Sequence, residues 1–191
     1  MKFDNLYESL LLELFDTKAK PIVWSKVRNS YVSSFTTKNN KNYNVNIAMS
    51  DDIYSYLGQD YDEEDIEYVP LDNDKKFKQY VHKNKQVPVW DVTFEDADLS
   101  PVGNGEKKSS FGITGSGDAV EVFSSVVNIL RDFVTNHPAE SKIIAFTASE
   151  PSRIKLYNRM SATLGSELGY SVFQYRDITS LATPTVYICY K

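Results

Sequence analysis

The sequence has few of the residues that disulfides, metal sites and membrane spans require. Its 191 residues include one cysteine, Cys189, and two histidines. This excludes an intrachain disulfide and the Cys/His spacings typical of zinc sites. No run of 18 apolar residues occurs, and acidic residues interrupt the apolar positions near the N-terminus, which is unlike a membrane span or a secretory leader. We therefore expect a cytoplasmic protein that binds no metal and contacts no membrane.

Basic residues are also too few for a general nucleic-acid binder. Lys and Arg number 21 against 26 Asp and Glu, and the net charge is −5, whereas affinity for the phosphate backbone needs clustered positive charge. The sequence also lacks the G-x-S-x-G elbow of serine hydrolases and the G-x-x-x-x-G-K-[ST] phosphate loop. A chain of this length is expected to form one domain. The length thus predicts a single domain, and the charge predicts no nucleic-acid partner.

The clearest predicted element is a helix from about residue 119 to residue 136. Its apolar residues recur at 119/120, 122/123, 126/127, 129/130 and 133/134, which is the spacing of a broad buried stripe. A short apolar strand at Phe111 and Ile113 and the turn Gly115-Ser116-Gly117 precede this helix. The continuous apolar run 142–149 follows it, as expected for a strand in the interior of a sheet. The sequence therefore predicts a strand, a glycine turn, a helix and a second strand in succession.

The rest of the chain adds antiparallel strands and further helices. We predict a helix over 3–16, followed by two antiparallel strands over 22–36 and 43–50. A solvated acidic loop from Asp51 to Asp74, a short helix over Lys75–Lys85 and a strand over 87–95 come next. Later in the chain we predict a helix that begins at Pro151 and ends near Gly165 or Gly169, and two final antiparallel strands. The predicted fold class is α/β in the α+β sense, a mixed, mostly antiparallel sheet flanked by helices, with one parallel step across the central helix. Within this single domain, residues 1–86 form an N-terminal helix, hairpin and acidic insertion, and residues 87–191 form the core.

Three motifs in the C-terminal half resemble the GCN5-related N-acetyltransferase (GNAT) family. The segment from Gly112 to Gly117 occupies the place of that family's Q/R-x-x-G-x-G/A turn. Leu156-Tyr157 matches a Leu-Tyr pair on the family's next helix, and Gly169-Tyr170 is similar to a Gly-aromatic pair that begins the following strand. The resemblance covers about residues 88–191 and implies a GNAT-like fold there.

The same resemblance implies an activity, that of an acyl-CoA-dependent N-acyltransferase with acetyl-CoA and an amine as substrates. The family's turn amides hold the pyrophosphate of acetyl-CoA, so the implied cofactor-binding residues are Thr114, Gly115, Ser116, Gly117 and Asp118. The family's Tyr often protonates the CoA thiolate, and that role falls on Tyr157. A general base would come from Asp91, Glu95 or Asp96 near the preceding strand, and Glu95 is our candidate.

These residues also have structural interpretations that the sequence leaves open. Gly112 stands where the family has Gln or Arg, and Asp118 with Glu121 forms a D-x-x-E capping box whose carboxylates would bind the same amides. Tyr157 has the helical spacing of an aromatic residue that faces the core. Cys189 lies in an alternating apolar segment, which is typical of a small buried residue.

The whole region is also similar to a group of tailed-bacteriophage proteins with the same glycine turn, V-F-x-x-V helix and S-R-x-x-L-Y segment. The opening MKFDNLYESLLLE is similar to the leader segments of some phage internal head proteins. The alternative function is therefore a non-catalytic GNAT-fold phage protein, either a virion component or a factor that binds a host protein. Its expected location is the cytoplasm of the host cell or the virion.

Overall fold

The computed structural model describes residues 22–57, 74–97, 119–148, 151–176 and 184–191. These ranges contain seven strands and four helices: β1 (Ser25–Val27), β2 (Ser30–Thr36), β3 (Asn42–Asp52), α1 (Ile53–Leu57), α2 (Asp74–Lys83), β4 (Pro88–Asp96), α3 (Ala119–Asn136), β5 (Ile143–Ala148), α4 (Pro151–Leu168), β6 (Ser171–Arg176) and β7 (Thr185–Tyr190). No helix within them is both long and apolar enough to cross a membrane.

The strands pair in the order β1-β2-β3-β4-β5-β7-β6. Strands β4 and β5 are parallel, whereas β1 with β2, β5 with β7, and β6 with β7 are antiparallel. The parallel step follows from the long connection through α3, because parallel neighbours cannot be joined by a short turn. The predicted fold class, a mixed and mostly antiparallel sheet with one parallel step, is confirmed.

The described chain divides into two compact units. The first contains residues 22–46, 93–97 and 119–135. The second contains residues 47–57, 74–92, 136–148, 151–176 and 184–191. Strands β3 and β4 each contribute residues to both.

In the first unit, α3 buries the apolar stripe that its spacing predicts. The buried side chains are Val122, Phe123, Val126, Val127, Ile129, Leu130, Phe133 and Val134. The rings of Trp24 and Tyr31 pack against Phe133, with centroids 5.8 and 5.3 Å away. The indole of Trp24 also donates a 2.6 Å hydrogen bond to Asp132.

The predicted strand over 22–36 is two strands in the structure. Strand β1 pairs with β2 through Lys26↔Tyr31 and Val27↔Ser30, and Arg28 in the turn between them has a φ of 53°. This left-handed conformation reverses the chain, and it is uncommon for a residue other than glycine. Three consecutive polar residues, Arg28, Asn29 and Ser30, interrupt the alternation at this point, a turn signal that the prediction of one strand did not use.

In the second unit, helices pack on both faces of β5, β7 and β6. One face carries the α1–α2 cluster, an apolar cluster of Ile53, Phe77, Val81, Val89, Ile143, Ala145, Phe173, Val186, Ile188 and Tyr190. The neighbouring residues along each strand point to the opposite face, because side chains alternate. There the ring of Phe146 contacts those of Tyr157 from α4 and Tyr187. Every residue of β7 is buried as a result.

Helix α4 begins and ends as its sequence predicts. Its first residue is Pro151 and its last is Leu168. Gly169 follows with a φ of +74°, the left-handed conformation with which glycine commonly terminates helices. Cys189 is a free, fully buried thiol, so its predicted role as a small buried residue is confirmed.

The acidic stretch predicted as a loop begins with regular structure. Asp51 and Asp52 complete β3, and α1 follows at once. Residues 58–73, the remainder of that stretch, lie outside the described residues, as do the predicted helix over 3–16 and the strand at Phe111 and Ile113.

Candidate functional site

The described part of β4 carries a carboxylate among buried apolar neighbours. Val89 belongs to the α1–α2 cluster, and Trp90 and Val92 are buried, whereas Asp91 is half-buried. The parallel pairing of β4 with β5 covers two positions, Trp90↔Ile144 and Asp91↔Ala145. Asp91 therefore lies at the carboxyl end of the parallel pairing, in the fourth of the nine positions of β4.

Helix α1 supplies the hydrogen-bond partner of this carboxylate. The hydroxyl of Tyr56 donates to Oδ1 of Asp91 at 2.8 Å. A five-residue helix has too few internal hydrogen bonds to be stable alone, and α1 is held at its start by other groups. The carboxylate of Asp52 accepts the N–H of Ser55 at 2.9 Å, and the N–H of Ile53 donates to the carbonyl oxygen of Val87 at 2.9 Å.

The surroundings of Asp91 raise the pKa of its carboxyl group above the ordinary value. Burial is the largest cause, and the nearby charge of Asp51 acts in the same direction. Hydrogen bonds from Tyr56 and Ser50 favour the ionised form and partly oppose the shift. A carboxylate with raised proton affinity, fixed by hydrogen bonds, is a candidate general base.

Aromatic and hydroxyl groups complete a polar cluster around this pair. Burial raises the pKa of Tyr56, and the charge of Asp91 and the nearby Tyr175 add to the shift. The exposed Thr147 on β5 hydrogen-bonds to Tyr56. We call Ser50, Tyr56, Asp91, Thr147 and Tyr175 the Asp91 cluster. It combines a proton acceptor with hydroxyl groups that can orient a polar substrate.

Tyr157, the predicted general acid, is a packed aromatic residue on α4. It is 4% exposed, and its ring meets those of Phe146 and Tyr187 edge-on, with centroids 5.0 and 5.9 Å away. This is the core-facing position that its helical spacing also predicted.

Glu95, the candidate base, is exposed on β4, and Asp96 after it is half-buried. Both belong to the first unit, whereas Asp91 and Tyr157 belong to the second. Asp91 combines partial burial with the hydrogen bond from Tyr56, two properties that favour a proton-transfer role.

The predicted cofactor-binding residues, Thr114 to Asp118, lie outside the described residues. The part of the capping box that is described is Glu121, whose two carboxylate oxygens lie 3.1 and 3.2 Å from the backbone nitrogen of Lys38. Its carboxylate thus accepts a hydrogen bond from the turn between β2 and β3, a contact that the capping-box interpretation did not include.

Sequence analysis proposed Asp91 and missed the other four members of the cluster, including Tyr56, the donor to the Asp91 carboxylate. Tyr56 lies in the stretch interpreted as a solvated loop, and its partner Asp91 is 35 residues away. A local signal was present, because Asp is a preferred N-cap residue and Asp52 directly precedes the apolar Ile53. That signal predicts α1 but gives no indication of the contact with β4.

The part of the chain that the structure describes contains no candidate metal site. No group of three or more His, Cys, Asp or Glu side chains there is placed to hold a metal ion.

The sheet and the Asp91 cluster define a class, a mixed α+β protein with a half-buried carboxylate at its parallel step. Comparison with known proteins then identifies the family. A profile described as "Family of unknown function (DUF6934)" matches residues 50–173, nearly two thirds of the 191 residues, and the protein belongs to that family. No curated protein and no solved structure matches the chain. The matched range includes Ser50, Tyr56, Asp91 and Thr147, so most of the Asp91 cluster lies in the family's shared region.

Proposed function

We propose that the protein is an acyl-CoA-dependent N-acyltransferase with a GNAT-like fold that uses acetyl-CoA and an amine. The observation that carries the proposal is the half-buried, hydrogen-bonded carboxylate of Asp91 at the end of the parallel pairing. The order β4, α3, β5, α4, β6 supports it as well. The resemblance in sequence implies the same succession of strand, helix, strand, helix and strand.

In this proposal Asp91, rather than Glu95, accepts the proton that the amine loses. Acetyl-CoA supplies the acyl group as a thioester: the amine nitrogen forms the new C–N bond, the C–S bond breaks, and CoA leaves as its thiolate. Burial raises the pKa of Asp91, which makes it a stronger base than an exposed carboxylate. Tyr56 holds the carboxylate in one orientation through its 2.8 Å hydrogen bond.

The start of α3 supports a site for the cofactor's phosphates. The helix begins at Ala119, directly after the residues predicted to form a glycine turn, and the first N–H groups of a helix have no partner within it. Such groups and the helix dipole favour bound phosphate. Glu121 in the first turn is negatively charged, which disfavours bound phosphate. Its carboxylate, however, accepts a hydrogen bond from the backbone N–H of Lys38.

Calorimetry with acetyl-CoA tests the cofactor site. We expect measurable binding that weakens by about tenfold or more in Gly117→Arg, because the new side chain fills the turn that the phosphates approach. Thr135→Arg, an exposed position at the other end of α3, is the matched control and leaves binding unchanged. Absence of binding at millimolar acetyl-CoA would overturn the proposal.

Release of free thiol from acetyl-CoA in the presence of a panel of amines tests the base. Asp91→Asn should lower turnover by about 10²–10⁴-fold, the usual contribution of a general base, while acetyl-CoA binding is kept. Glu95→Gln on the same strand should have little effect. The reverse result, a loss in Glu95→Gln alone, would return the role to Glu95.

A second candidate, a non-catalytic protein that binds a host or phage protein, is favoured by the packing of Tyr157. Its ring is buried against Phe146 and Tyr187, as in a scaffold that has kept its core without the reaction. This candidate predicts no acetyl-CoA binding and no turnover. It also predicts either the intact protein in purified virions by mass spectrometry or specific capture of one host protein.

A further inference from the structure

Helix α2 has an apolar face and a lysine-bearing face. Phe77 and Val81 are 0% and 2% exposed, within the α1–α2 cluster. The basic face of α2 consists of Lys75, Lys76 and Lys83 on the helix and Lys85 just after it, all exposed. No acidic residue occurs between positions 75 and 90.

Helix energetics do not account for this face. Lys75 and Lys76 lie in the first turn, where the helix dipole disfavours positive charge. Exposed helices usually gain from acid–Lys pairs at i,i+4. Asp74, the first residue of α2, has this spacing to Lys78, but no Asp or Glu of the helix has it to Lys75, Lys76 or Lys83. The first-turn lysines therefore act against the helix that carries them.

The basic face rests on a rigid support. The ring of Phe77 stacks on Phe173 with centroids 4.0 Å apart and contacts Tyr190 at 5.1 Å. The ammonium of Lys85 lies 4.7 Å from the ring centroid of Tyr54. A surface that is ordered before binding loses less conformational entropy when a partner docks.

We propose that the basic face of α2 binds a short acidic segment of a partner protein. A helix of ten residues is about 15 Å long, which four or five residues of an extended peptide span. Without the five lysines between 75 and 85, the rest of the chain has a formal charge of −10. This charge repels a nucleic acid, whose phosphates extend beyond the helix in both directions, whereas a short acidic peptide stays over the lysines.

Fluorescence anisotropy with a labelled eight-residue peptide of Glu and Asp tests the proposal. We expect saturable binding that weakens as salt is added, because the attraction is between exposed charges. The double variant Lys75→Glu/Lys76→Glu should bind about tenfold more weakly or worse. Its thermal midpoint should not fall, since negative charge suits the first turn. Lys38→Glu, an exposed lysine of the first unit, is the control and should retain binding.

Four results would overturn the proposal. The peptide could fail to bind, or bind the double variant as well as the native protein. A single-stranded oligonucleotide of equal length could bind more tightly, which would make the partner a nucleic acid. Finally, the peptide could bind only after Asp62, Glu63, Glu64 and Asp65 are changed to their amides, which would assign the face to the chain's own acidic segment.

Discussion

Burial and hydrogen bonding act in opposite directions on the proton affinity of Asp91. Burial and the charge of Asp51 raise its pKa, and the hydroxyls of Tyr56 and Ser50 lower it. The balance favours the proton, so the native protein retains the carboxyl proton to a higher pH than the unfolded chain does. The pKa of Asp91 that results determines both how strongly its carboxylate binds a proton and how the stability of the protein changes with pH.

Replacement of Tyr56 by phenylalanine tests the hydrogen-bonding part of this balance. The variant loses the donor that stabilises the ionised carboxylate, so the pKa of Asp91 should rise further. A titration of the Asp91 carboxyl carbon by NMR in both proteins measures the shift without any assumption about catalysis.

Tyr54→Phe is the matched control for this titration, because Tyr54 lies on the same helix beside Lys85. It should leave the titration of Asp91 unchanged. An equal midpoint in the native protein and Tyr56→Phe would show that the 2.8 Å contact has no influence on the charge.

Replacement of Asp91 by asparagine tests the burial part. The pKa of Asp91 is raised above its ordinary value of 3.8. The carboxyl group of Asp91 therefore stabilises the folded protein fully below pH 3.8, and this stabilisation is lost as the pH rises through the raised pKa. The Asp91→Asn variant has no carboxyl group at this position, so it does not undergo this loss of stability as the pH rises. The free energy of unfolding of the variant relative to the native protein should therefore increase between about pH 4 and pH 8.

Urea denaturation at both pH values measures this difference, and Asp52→Asn is its control. The N–H of Ser55 lowers the pKa of Asp52 below 3.8, so the stabilising contribution of its carboxylate is nearly complete above about pH 5 and declines below it. The free energy of unfolding of Asp52→Asn relative to the native protein should therefore fall slightly from about pH 4 to about pH 5 and stay flat above it, opposite in sign to Asp91→Asn. A flat or falling difference for Asp91→Asn would contradict the burial argument.

At the scale of elements, the largest fully buried side chain of α2 is Phe77. Phe77 is fully buried and stacked on Phe173. Phe77→Ala should lower the free energy of unfolding by about 3–5 kcal/mol, the usual cost of deleting a buried aromatic ring. Urea or thermal denaturation measures it.

Gln79→Ala, on the exposed side of α2, provides the comparison for this prediction. It should change stability by no more than about 0.5 kcal/mol. Similar small effects of both substitutions would mean that α2 contributes little to the core.

Sequence predicted those elements whose own residues determine their form. The periodic stripe of α3, the Pro151 start and Gly169 end of α4, and the apolar run of β5 are local signals, and each predicted its element. The reversal between β1 and β2 depends on one residue, Arg28, in a conformation that arginine seldom adopts. Helix α1 depends on a bond to Val87, 34 positions after Ile53, which a local pattern does not contain.

The candidate site, too, was predictable only where its residues give a local signal. Asp91 was one of three carboxylates considered, because alternation along β4 is a local signal. Its selection over Glu95 required burial and the contact with Tyr56, both of which come from packing between distant segments. The glycine turn at 114–118 stays a prediction.

At the scale of the whole molecule, Cys189 reports on unfolding of the second unit. It pairs with Ile144 on β5 and Val172 on β6, is fully buried, and has a thiol pKa that burial raises. Thiolate is the reactive form, so a thiol reagent should label the native protein only as fast as this sheet opens. Complete labelling in concentrated guanidinium is the control, and rapid labelling of the native protein would contradict the structure.

The position of β7 between β5 and β6 has a consequence for synthesis on the ribosome. Strand β6 leaves the ribosome before β7, yet in the finished sheet β7 lies between β6 and β5. The growing chain therefore has β5 and β6 without their shared neighbour until residues 185–190 emerge. Unpaired strand edges of this kind invite association between nascent chains, so a strand translated after β5 and β6 is the one that protects them.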